Sequence, residues 1–155
     1  MKVDDSNTKV GGDEMGTDKN LFKFTINQLG IAVKDIEKTS AFLEKIGIGP
    51  FQTMDVESEE SKFKIGSFQQ EGLQIELIQL VEGEDQLYSK LLKEKGEGIH
   101  HVGYWVKDFD EALQKMKDMG IKVLSDGNVY GVRYCYLDTE KQCGFIVELI
   151  EGELM

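Results

Sequence analysis

Residues 26–48 read INQLGIAVKDIEKTSAFLEKIGI, and residues 99–121 read IHHVGYWVKDFDEALQKMKDMGI. Laid over one another at an offset of 73, they share Ile26/Ile99, Gly30/Gly103, Val33/Val106, Lys34/Lys107, Asp35/Asp108, Gly47/Gly120 and Ile48/Ile121. A second match, GLQIELI (72–78) with GFIVELI (144–150), falls at an offset of 72. Two separate matches at nearly one offset mark a duplicated module.

Each copy predicts the same elements. Alternation over Ile26–Val33 and Ile99–Val106 gives a strand. Asp35 and Asp108 then stand as helix N-caps, and Glu111, three residues after Asp108, is placed to complete a capping box. Phe109, Ala112, Leu113, Met116 and Met119 form one apolar stripe. Gly47 and Gly120 sit where a left-handed C-cap is expected. Three strands follow in each copy, at 51–57, 62–69 and 72–81, then 121–125, 131–138 and 144–150. A linking helix is expected within DQLYSKLLKEKGEG (85–98). The predicted fold class is α+β, a βαβββ unit used twice in tandem.

Outward from these repeats the chain is 155 residues long, with 18 Lys+Arg against 29 Asp+Glu and a net charge of −11. That length suits one domain able to bury roughly 70% of its unfolded surface. Residues 1–20 hold little that could be buried and are expected to form a disordered or loosely docked tail. The folded domain is expected over 21–155, as a module at 21–96 and a second at 97–155. No apolar run reaches the ~20 residues of a bilayer span. The acidity argues against nucleic acid, whose phosphates need Lys and Arg. Cys135 and Cys143 are too few for a disulfide framework and read as reduced thiols, so a cytoplasmic location is expected.

Alternation also decides which side chains share a face. Gln28, Gly30 and Ala32 fall together in one first strand, and His101, Gly103 and Trp105 in the other. The glycines are expected to leave room above the sheet for a ligand. Glu76 and Glu148 occupy matching places in the last strands, each between two apolar residues. A lone His on a strand is more often a hydrogen-bonded core or surface residue than a ligand, and a lone Glu usually faces solvent. Four polar positions in two symmetry-related pairs are different, because ionised carboxylates in apolar strands are costly unless paired or bound to a cation. His100 competes with His101, but alternation assigns His100 to the helix side or the strand entry.

At these residues the sequence resembles the vicinal oxygen chelate superfamily, also called the glyoxalase/bleomycin-resistance fold, from about residue 24 to 151. GIAVKDIEKTSAFLEKIGIGPF, IELIQL, GIHHVGYWVKDFDEAL and VELIEG look most like methylmalonyl-CoA epimerases. The resemblance implies a cupped mixed sheet around a divalent metal (Co²⁺, Mn²⁺, Ni²⁺, Mg²⁺ or Zn²⁺) with Gln28, Glu76, His101 and Glu148 as ligands, and a homodimer. Epimerases commonly have histidine where Gln28 stands; the Gln/Glu/His/Glu set also occurs in some glyoxalase I enzymes. Glutathione recognition needs groups that clamp carboxylates, and Ala32 and Leu80 cannot.

One imidazole, two carboxylates and an amide oxygen make a hard, oxygen-rich set. It suits a Lewis acid that stabilises charge on a carbonyl oxygen while a proton leaves the adjacent carbon. Glu148 and Glu76 are the expected acid/base pair of an isomerase acting on an acyl-CoA or related thioester. Trp105, Tyr134 and Arg133 are candidates for binding the substrate, as are Lys62 and Lys64 for its phosphates; the aromatics also read as ordinary core residues. The alternatives are a glyoxalase I-like lyase (lactoylglutathione lyase) and a non-catalytic small-molecule binding protein.

Overall fold

A computed structural model describes residues 25–152. The expected tail at 1–20 and the expected start of the fold near Leu21 lie outside the described residues. The elements are β1 (Thr25–Ala32), α1 (Ile36–Lys45), β2 (Gln52–Glu57), β3 (Ser61–Gln70), β4 (Leu73–Gly83), α2 (Gln86–Glu94), β5 (Gly98–Val106), α3 (Phe109–Asp118), β6 (Val123–Val129), β7 (Val132–Leu137), α4 (Glu140–Cys143) and β8 (Ile146–Glu151). The βαβββ pattern is present twice, with α2 between the copies.

One eight-stranded mixed sheet runs in the order β2-β3-β4-β1-β5-β8-β7-β6. Its centre is the antiparallel pair β1–β5, and each of these strands has the last strand of its own copy parallel beside it: β4 next to β1, β8 next to β5. The order therefore reads the same outward from the middle, the strand-level expression of the duplication.

The helices begin and end where local chemistry directs. Asp35 accepts from the Lys38 amide at 3.0 Å and Asp108 from the Glu111 amide at 3.0 Å, each satisfying one orphan donor of a first turn. Glu111 does not close the expected capping box; its carboxylate pairs with Lys115 one turn on. Gly47 and Gly120 end the helices with φ of +94° and +78°. On one face of the sheet α3 packs Phe109, Ala112 and Met116 against Val106, Cys135, Leu137 and Leu149, and α1 packs Ile36 against Val33 and Leu77. Each large apolar side chain buried this way contributes about 1.5–3 kcal/mol. The linking helix α2 lies on the other face, where Tyr88 and Leu91 cluster with Ala32 and Ile78.

Two features depart from the sequence reading. The expected strand at 121–125 runs instead from Val123 to Val129, because cross-strand pairing of Asp126, Gly127 and Asn128 with Cys135, Tyr134 and Arg133 draws a turn-like sequence into the ladder. The hairpin closes on Tyr130 and Gly131, both at positive φ. Strict alternation also fails in both central strands. The register slips by one residue at Asn27 in β1 and at His100 in β5, the same place in the two copies. These bulges leave Asn27 beside Gln28 and His100 beside His101, with all four side chains buried. Among the described residues no helix is long and apolar enough to cross a membrane. Both cysteines are free, Cys135 buried and Cys143 exposed.

Candidate metal centre

The four expected donors come together through two cross-strand rows. In one row Glu76, Gly30 and His101 lie side by side on β4, β1 and β5; in the other Gln28, Gly103 and Glu148 lie side by side on β1, β5 and β8. Each row has a glycine between two donors. A Cβ on Gly30 would stand 2.0 Å from His101 Cε1, and one on Gly103 would stand 2.8 Å from Gln28 Cβ. The space over each glycine is therefore filled by a donor leaning in from the neighbouring strand, and not by the ligand the sequence reading placed there.

His101 is fully buried, and its Nε2 is the meeting point. It lies 3.1 Å from Gln28 Oε1, 3.2 Å from Glu148 Oε2 and 3.7 Å from Glu76 Oε2. Gln74 holds the amide in this sense, accepting from Gln28 Nε2 at 3.1 Å so that the oxygen faces the centre. These are hydrogen-bonding rather than coordination distances, and among the described residues no three His, Cys, Asp or Glu side chains form a ready-made metal cage. The donor set nevertheless fits a divalent cation. Glu148 Oε2 is buried and receives no well-directed hydrogen bond, and two carboxylates would balance the ion's charge in a site with no Lys or Arg.

Burial governs the protonation of this cluster. It pushes Glu76 up to about 7. It also holds Glu148 well above the usual carboxylate range, with the Glu76 charge adding to the effect and a Tyr136 hydrogen bond opposing it. His101 is held well below the ordinary histidine value by burial and then by His100, so its imidazole is neutral and free to coordinate.

Above the donors opens a cavity of about 380 Å³, bounded by Gln28, Glu76 and Glu148 and walled by side chains from both copies and from α2. Trp105 and Tyr134 line it. Arg133 does not. It alternates to the helix side, donating to Asp110 at 2.9 Å, standing 3.8 Å from Glu151 and lying over the Phe109 ring. Lys62 pairs with Glu57 and Glu82, and Lys64 with Glu37, so neither reaches the cavity.

Three contributors were missed. Tyr136 follows Glu148 in its cross-strand row and shares a 3.1 Å hydroxyl contact with Tyr88 of α2. His100, placed by its bulge, stacks on Tyr88 with ring centroids 4.2 Å apart and puts Nδ1 2.9 Å from His101 Nδ1. The signal for Tyr136 was present, since alternation places it on the face of Tyr134; the bulge has no signature in composition.

The model of the glyoxalase/bleomycin resistance protein/dioxygenase superfamily matches residues 27–136, more than half of the chain. The chain belongs to this superfamily. A relative, the uncharacterized protein YqjC of Bacillus subtilis, is 25% identical over 130 residues, covering 81% of this chain and 91% of that protein. Hypothetical protein BH1468 of Bacillus halodurans superposes with a TM-score of 0.72 at 23% identity, over 86% of this chain and 97% of that one. A methylmalonyl-CoA epimerase in complex with methylmalonyl-CoA and NH4+ superposes with a TM-score of 0.69 at 24% identity, over 83% and 94%. At this identity the superfamily fold is shared with the epimerases.

Proposed function

We propose that this glyoxalase-superfamily protein is a divalent-metal-dependent isomerase that removes and returns a proton next to a thioester or ketone carbonyl. The observation that carries the reading is the convergence of Gln28, Glu76 and Glu148, which line the floor of a cavity, on His101 Nε2 buried beneath them. A cation held by these four groups would stabilise negative charge building on the carbonyl oxygen. Glu148 and Glu76 flank the centre from opposite halves of the sheet, as acid and base on the two faces of a planar deprotonated carbon must. Tyr136 lies beside Glu148 in its cross-strand row, and the apolar walls would keep water from the deprotonated carbon.

Methylmalonyl-CoA is the named test substrate, supported by the epimerase neighbours in fold and by the motifs around Gln28, Glu76, His101 and Glu148. Protein loaded with Co²⁺ or Mn²⁺ is incubated with it in D₂O and α-deuterium is followed by NMR. Exchange is expected in the wild type and should vanish in Glu148→Gln. Exchange that survives at the wild-type rate removes Glu148 from the role of base. A protein that neither binds divalent metal nor exchanges deuterium would instead be a binding module of the same fold.

A further inference from the structure

We propose that Tyr130, at the tip of the β6–β7 hairpin, is a ligand contact that packs against the apolar part of a molecule bound in the cup. This deepens the isomerase reading by adding a substrate-gripping residue at the rim, and it rests on that reading only for the use of the cup as the substrate site.

A conflict between backbone conformation and residue type carries the argument. The hairpin turns on two residues, Tyr130 and Gly131, with φ of +51° and +87°, between Val129 and Val132, which pair across the strands. A two-residue turn with both φ positive favours Asn-Gly, Asp-Gly or Gly-Gly. Tyrosine has neither the freedom of glycine nor the short polar side chain that lets Asn and Asp enter the left-handed region, so it is strained there. Asn128 holds the turn closed by accepting from the Gly131 amide at 2.9 Å, which fixes Tyr130 where it stands. Contacts within the fold do not offset the strain. The side chain is 78% exposed, more than any other large apolar side chain among the described residues, and it makes no ring contact or hydrogen bond with them. Tyr130 does line the cavity, together with Val129 and Val132 of the same hairpin. A ligand seated against those two valines would cover part of the ring and leave its hydroxyl in water, the two-ended environment that suits tyrosine at an interface. A second hairpin separates strain from ligand contact. Glu71 and Gly72 join β3 to β4 with φ of +51° and +85°, and Glu71 does not line the cavity.

The test uses the full-length, chelator-treated protein and the fluorophore N-phenyl-1-naphthylamine, whose flat rings stand in for the apolar part of a substrate. Trp105, the one tryptophan in the chain, lines the cavity and transfers energy to a probe seated there. Tyr130→Asn installs a residue that the turn prefers and removes the ring. Probe affinity is expected to fall about fivefold while Tm rises by about 2–4 °C. Tyr130→Phe keeps the ring and is expected to bind the probe within about twofold of the wild type. Glu71→Asn relieves the same strain away from the cup and is expected to raise Tm with probe affinity unchanged. A tyrosine that served only the fold would lose stability and affinity together. Absence of saturable probe binding, unchanged affinity or a lowered Tm in Tyr130→Asn, or an equal loss of affinity in Tyr130→Phe or Glu71→Asn overturns the proposal. Probe binding needs neither metal nor turnover, so it stands or falls separately from deuterium exchange.

Discussion

Replacing Gly30 with alanine is a one-methyl test of the metal centre. The new Cβ would lie 2.0, 2.3 and 2.4 Å from Cε1, Nε2 and Nδ1 of the His101 ring. Carbon atoms rest at roughly 3.5–4.0 Å, so the ring must retreat by about 1.5 Å. Metal coordination tolerates about 0.2 Å. The ring is fully buried and cannot swing aside freely, so Nε2 would be carried away from Gln28, Glu76 and Glu148. Losing even an outer-shell contact lowers metal affinity 10–100-fold, so removal of the imidazole should lower it at least ~100-fold, or about 2.7 kcal/mol. Gly103→Ala serves as the comparison. Its Cβ would meet Gln28 Cβ at 2.8 Å and Ile150 Cδ1 at 2.9 Å, milder contacts that include a mobile methyl, and a loss nearer tenfold is expected. Calorimetric titration of Mn²⁺ or Co²⁺ into chelator-treated protein measures both. Thermal unfolding without metal separates the overpacking penalty, about 1–3 kcal/mol, from the loss of binding. If Gly30→Ala folds and binds metal as tightly as the wild type, His101 is not a ligand and the four-donor centre is wrong.

Two further outcomes follow from the same cluster. Without metal, Glu76 binds protons more tightly in the folded state (about 7) than in the unfolded chain. Its contribution to stability is therefore full below about pH 4.5 and is lost as pH rises to 7; denaturant melts of wild type against Glu76→Gln should diverge by about 3 kcal/mol over that interval. Metal affinity should run the other way, rising with pH and releasing protons on binding. In the second outcome, His101 coordinating through Nε2 must carry its proton on Nδ1 and donate it to His100 Nδ1, 2.9 Å away. His100→Phe keeps a ring to stack on Tyr88 but removes the acceptor, so metal affinity should fall about 10–100-fold while the Co²⁺ absorption spectrum keeps its ligand set. His100→Asn, which copies the residue at the equivalent bulge of β1, should restore part of that affinity.

Much of this site was legible along the chain because the duplication names equivalent positions. Gln28 and His101 correspond under an offset of 73, Glu76 and Glu148 under 72, and period-two alternation places each pair on one face. The caps at Asp35 and Asp108 were likewise local events, decided by a side chain and an amide three residues apart. The bulges were not legible, because an extra residue in a strand leaves the composition unchanged and is defined only against the partner strand. His100 does lie at the strand entry, one of the two places expected for it, but its contact with His101 could not be read for that reason. Arg133 was misassigned for a simpler one: its side chain takes the face opposite Tyr134, where Asp110 and Glu151 wait.

Order along the chain was enough to establish a doubled βαβββ pattern and to single out the four polar residues that converge, since helix and strand periods are properties of neighbours in sequence. Contact among those residues required the folded sheet. Only when β1 and β5 lie antiparallel, each with a glutamate-bearing strand at its other edge, does a glycine fall between the two donors of each row and let them lean together. The charge of the cup was settled at the same level, because it depends on which way each lysine and arginine turns after the strands have paired.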